Sequence, residues 1–96
     1  VTRPLLRLRD YPGIAQIDIS LMNLVWQCSH WVSCATTGTQ AHCVKMSTEI
    51  MAGMTGYGRM PVVRSLVWLV EEKMLLFVGA GHYHVPAALA VRMSKQ

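Results

Sequence analysis

The residues able to ligate a metal or act as nucleophiles are Cys28, His30, Cys34, His42 and Cys43, with His82 and His84 far downstream. Thiolate and imidazole are the ligands zinc takes in a tetrahedron, and chains usually deliver them as CxxC or HxxxH pairs. Neither spacing occurs here. On one helix Cys28 and Cys34 would diverge by about 120°, given ~3.6 residues per turn. Adjacent His42 and Cys43 would also point apart. The three thiols are therefore expected to be small buried hydrophobes, and no metal site and no cofactor is assigned to the cluster.

Shorter motifs point the same way. Cys28-x-His30 resembles the first ligand box of Rieske iron–sulfur proteins, but the C-x-x-H second box is missing, so no cluster is implied. His82-Tyr83-His84 would put two imidazoles on one side of an extended segment. That arrangement suits a metal, a quinone or a haem, and suits a surface loop equally well. Gly53-x-x-Gly56-x-Gly58 lacks the Lys-Ser/Thr that lets a P-loop hold phosphates. No GxSxG elbow and no cysteine-protease signature is present. No catalytic residue is assigned, and a non-catalytic role is expected.

Placing these residues requires the elements that carry them. Tyr11-Pro12-Gly13 is a turn signal, because Pro fixes φ and Gly accepts positive φ. It closes an extended arm over residues 1–13 that contains Arg3, Arg7 and Arg9. From Ile19 to Val44 no Asp, Glu, Lys or Arg occurs, and Asp18 stands in front as an N-cap. Leu21, Leu24, Val25, Cys28, Trp31, Val32 and Ala35 recur at steps of three and four, which predicts a helix over residues 19–35. A polar stripe, Asn23, Gln27 and His30, runs beside an apolar patch containing Trp26. Such a helix would be about 26 Å long at ~1.5 Å per residue, just short of a ~30 Å hydrocarbon core. Both a membrane-embedded and a buried soluble helix fit. Asn23, Gln27, His30, Trp26 and Trp31 are the candidate interface residues.

Further along, a helix is expected over residues 42–54, with Lys45 and Glu49 paired at i, i+4. Ala52, Gly53 and Gly56 would admit another backbone at close range, before Thr55-Gly56-Tyr57-Gly58 breaks the helix. Pro61 and Gly79 bracket the next helix, with Arg64, Ser65, Glu71 and Glu72 on its polar side. Lys73 then falls awkwardly in the apolar face of Val62, Leu66, Leu69, Val70, Leu76 and Phe77. The competing pattern is a hairpin within residues 62–78. Residues 79–84 read as a loop and residues 86–93 as a short C-terminal helix. The fold expected is a single domain over residues 1–96, mainly α, of three to four helices behind an extended arm; the alternative is α+β.

Composition frames the function. Charged residues make up 15% of the chain, against a usual ~25%, so the surface has few charges to cover it. Seven methionines suit adaptable contacts. The formal charge of +4 is a mild excess rather than a basic stripe. An odd number of cysteines in a small chain argues against a disulfide scaffold and for a reducing compartment. Val1 with arginines nearby fits the far side of a cleaved organellar presequence. The function expected is a non-catalytic accessory subunit packed in a larger assembly, such as a mitochondrial membrane complex. Its partners would be other protein subunits, and membrane lipid if residues 19–35 are embedded, so the chain would not be a free monomer. Nucleic acid is the less favoured partner. The alternatives are a soluble α+β binding module and a basic, ribosomal-type nucleic-acid-associated subunit.

Overall fold

The chain turns at Tyr11-Pro12-Gly13 as its composition implies. Tyr11 N–H donates to the Leu8 carbonyl at 3.0 Å, Ile14 N–H to the Tyr11 carbonyl at 3.2 Å, and Gly13 takes a φ of +80°. The computed structural model describes residues 7–33, 38, 40–79, 81–86 and 89. The arginine at position 3 and the expected C-terminal helix past residue 89 lie outside them.

Helix α1 spans Gln16–Cys28. Asp18 caps it from inside the first turn rather than from in front, its Oδ2 accepting the Ala15 N–H at 2.8 Å. Its other carboxylate oxygen accepts the Ser65 hydroxyl from a distant helix. The helix buries Leu21, Met22, Val25 and Trp26, and removing each of the first three from water is worth roughly 1.5–3 kcal/mol.

The expected helix over residues 19–35 is not formed. Buried Ser29 closes the last turn, its hydroxyl donating to the Trp26 carbonyl at 2.9 Å, and the chain leaves as strand β1, His30–Ser33. The three-four spacing past Ser29 is a coincidence of short apolar runs. Aromatic Trp31 and β-branched Val32 suit a pleated strand, and residues 40–45 supply a partner. No helix among the described residues is long and apolar enough to cross a membrane.

Strand β2, Gln40–Lys45, takes the place of the first four residues of the helix expected over residues 42–54. Helix α2 begins only at Thr48, behind Ser47, whose side chain accepts the Ile50 N–H at 3.2 Å, and ends at Thr55. Lys45 therefore lies in a strand and cannot pair with Glu49 along a helix. Glu49 instead stands 3.9 Å from Arg59. Gly56 stops α2 in the left-handed region, φ 80°, with its N–H on the Ala52 carbonyl at 2.9 Å. A Cβ built on Gly53 or Gly56 meets nothing within 4 Å, so neither glycine admits a close backbone.

Helix α3 spans Arg59–Glu71 and stops well before Gly79. Lys73 takes a φ of 60°, and the N–H groups of Lys73 and Met74 return to the carbonyls of Val70 and Leu69 at 3.1 and 3.0 Å. This left-handed stop satisfies carbonyls that a helix end leaves free. It also turns Lys73 out to solvent, away from the apolar face a continued helix would have given it. Met74 and Leu75 drop into the core. Strands β3, Leu76–Gly79, and β4, His82–Val85, then form a hairpin, where a loop was expected over residues 79–84.

The mainly α expectation is thus overturned, and the fold is α+β. Among the described residues, three helices accompany a four-stranded antiparallel sheet in the order β1-β2-β4-β3. The hairpin lies over residues 76–85 rather than within 62–78. Register runs through His30 opposite Cys43, Cys43 opposite His84 and Phe77 opposite Tyr83, with an irregularity between Phe77 and Gly79. Leu21, Met22 and Val25 of α1, Met51 of α2, Val62, Leu66 and Leu69 of α3, and Val44 and Val85 of the sheet share one core.

Candidate nucleic-acid interface

In element order and turn length, α2 and α3 follow the pattern of a helix-turn-helix. Eight residues of helix are followed by the three-residue turn Gly56-Tyr57-Gly58 and a thirteen-residue helix, which matches the short glycine-containing turn of that motif. The local sequence explains each part. Ser47 starts α2, Gly56 accepts the left-handed stop, and Pro61 sits in the first turn of α3, where a missing N–H leaves no gap in the ladder. Tyr57 packs against the core from the turn.

Helix α3 is held firmly from behind. Val62, Ser65, Leu66 and Leu69 are its buried residues, a set that recurs at three and four and so occupies one side. Ser65 was expected on the polar side. It is 5% exposed and donates to the equally buried Asp18, which ties α3 to the start of α1. Edge-on contact between Tyr11 and Trp68, with centroids 6.1 Å apart, fastens the arm's turn to the same helix.

The opposite side of α3 presents Met60, Arg64, Val67 and Glu71, all exposed. Met60 is 60% exposed and Val67 is 55% exposed. Arg59 opens the helix, and its ion pair with Glu49 joins side chains that are 68% and 77% exposed. Such a pair is weakly held, so the guanidinium can exchange Glu49 for another anion. Beside this strip, an open groove of about 330 Å³ runs between α3 and the β3–β4 hairpin. Val63, Val67, Val70, Phe77 and Tyr83 line it, with Thr48 at its edge. Burial pushes the Tyr83 phenol above its ordinary value.

The residues singled out from the sequence lie elsewhere. Trp26 is buried in α1, Asn23 and Gln27 are half-buried on that helix, and His30 and Trp31 are exposed on β1. Trp26 and Trp31 both pack on the His42 ring, with centroids 4.7 and 4.8 Å away. The sheet brings Cys28, His30, Cys43 and His82 to the rim of one shallow pocket together with Lys45. No group of three or more His, Cys, Asp or Glu among the described residues is arranged to hold a metal ion. Cys28 and Cys43 are half-buried thiols that form no disulfide with each other, and Cys34 lies outside the described residues. His82 places Nδ1 3.2 Å from the Gly79 carbonyl, while His84 is buried in β4.

Arg59, Met60 and Val67 are not among the residues that the sequence pattern singles out. The usable signal was a short capped helix followed by Gly-x-Gly and then Pro, obscured by assigning residues 42–47 to the helix.

No family model and no curated protein matches the chain. Among solved structures it is similar to the reduced (FeII) CO-sensing protein from R. rubrum, at 20% identity and a TM-score of 0.67, covering 82% of this chain. The chain spans 36% of that protein's length. The likeness is one of fold.

Proposed function

We propose that this chain is a soluble α+β binding module that docks on duplex DNA through α3. The observation that supports it is the second helix of a helix-turn-helix, braced by buried residues behind, with Arg59 at its start and Arg64 on its outward side. In that motif the second helix enters the major groove, its first turns meet base edges, and the preceding helix crosses the backbone. A helix of ~10–12 Å diameter fits a groove about 12 Å wide. Arg59 at the start of α3 and the exposed Arg64 supply the cations, and the β3–β4 hairpin borders the groove beside α3.

The likeness to a CO-sensing protein supports the fold only. It covers about a third of that protein, and its sensing is not carried over to this chain. A second reading, a subunit packed against another protein, draws support from Trp31 and Val32, which are 53% and 44% exposed on the edge strand β1.

The test is fluorescence anisotropy with a labelled 20-base-pair duplex of mixed sequence at 50 and 200 mM salt. Binding should weaken with salt, because each neutralised phosphate releases counterion at a log–log slope of about −0.9. Arg59→Ala should weaken binding and reduce that slope by about 1. Absence of salt-dependent binding at 50 mM would refute the proposal.

A further inference from the structure

The outward strip of α3 is unusual for a surface that meets a polyanion, because apolar side chains flank its central cation. Met60, Arg64 and Val67 follow one another at steps of four and three, so they form a row along the helix. At ~1.5 Å per residue, Arg64 stands about 6 Å from Met60 and about 4.5 Å from Val67 along the axis. Those separations correspond to one or two base steps of about 3.4 Å. Val63 adds a half-buried methyl pair on the hairpin side of the row.

Two features of the major groove match this row. Guanine offers O6 and N7 to a bidentate arginine, and thymine is the base that presents a methyl group there. Exposed Met and Val side chains in water gain nothing from phosphates, but they gain from covering a methyl. Arg64 supplies the positive charge at the centre of the row, and Glu71 marks where the favourable strip ends.

We propose that α3 reads a guanine through Arg64 and, within two base pairs on either side, thymine methyl groups through Met60 and Val67. This specificity rests on the DNA-binding proposal above. It makes the apolar row a readout surface and assigns to Met60 and Val67 a role in sequence choice.

The experiment enriches binders for the intact chain from a duplex library with 20 random base pairs. Enriched duplexes are then resynthesised with deoxyuridine at single thymines, which removes only the C5 methyl. The expected result is a guanine with a thymine within two steps on each side, and about a fourfold loss of affinity for each flanking methyl removed, the effect of one buried methylene-sized group. Val67→Ala should abolish the sensitivity at one thymine and Met60→Ala at the other. Both residues are exposed, so the fold is not at risk. Enrichment of sites whose affinity changes less than twofold at every uracil would overturn the inference and leave DNA binding standing. Failure to bind any duplex would overturn both.

Discussion

Two glycines of the helix-turn-helix, three positions apart, should respond oppositely to the same substitution. Gly53 lies inside α2 and Gly56 ends it, and a Cβ at either site meets nothing within 4 Å. Packing therefore cancels from the comparison and backbone conformation is left. At Gly53, Ala should stabilise by roughly 0.5–1 kcal/mol, the penalty glycine carries in a helix. At Gly56 the φ of 80° places Ala in the left-handed region, at a cost of ~1–2 kcal/mol. The reduced freedom of the unfolded chain returns ~0.4–1 kcal/mol of that. The net loss is about 1 kcal/mol, and the two variants should differ by about 2 kcal/mol. For a domain of this size that is roughly 8–16 °C in Tm. Urea and thermal melts of the two variants and the parent, without DNA, measure it directly. Equal shifts, or stabilisation by Gly56→Ala, would refute the assignment of Gly56 as the left-handed stop on which the turn depends.

The link between Asp18 and Ser65 should show as coupling: Asp18→Ala, which leaves a buried hydroxyl and the Ala15 N–H without their acceptor, is expected to cost about 2–3 kcal/mol. In a double-mutant cycle with Ser65→Ala, the two losses should fall short of additivity by at least 0.5 kcal/mol, and strict additivity in urea melts would rule the contact out. Because Tyr83 holds its proton more tightly when folded, its contribution is complete below the ordinary phenol pKa and is lost as pH rises through and above about 10. Tyr83→Phe should therefore flatten the fall of Tm between about pH 9 and 11, and parallel Tm curves would contradict this. Metal analysis of protein purified without chelators should find less than one zinc or iron per chain, and a one-to-one content would overturn the assignment of Cys28 and Cys43 as structural thiols.

Local signals that need only neighbouring residues were legible in the sequence. The Tyr11-Pro12-Gly13 turn, the break at Thr55-Gly56-Tyr57-Gly58 and the apolar faces around Leu21 and Val62 all follow from conformational preference and short-range spacing. The ends of the elements were not legible, because they are decided by partners distant in the chain. Residues 30–33 satisfy a helical pattern, and they become a strand because residues 40–45 offer their backbone groups. Residues 40–45 in turn pair with His82–Val85, and no window of the sequence contains both. Lys73 was legible as a misfit in a continued helix, and the physical reason emerged only with the stop at Glu71. The candidate site shows the same division. Its cations and its glycine turn are visible in the sequence, but an exposed apolar row cannot be told from a core face by periodicity alone. Which side of α3 is covered was decided by α1 and by the buried Asp18–Ser65 contact, and with it which residues remain free to meet a ligand.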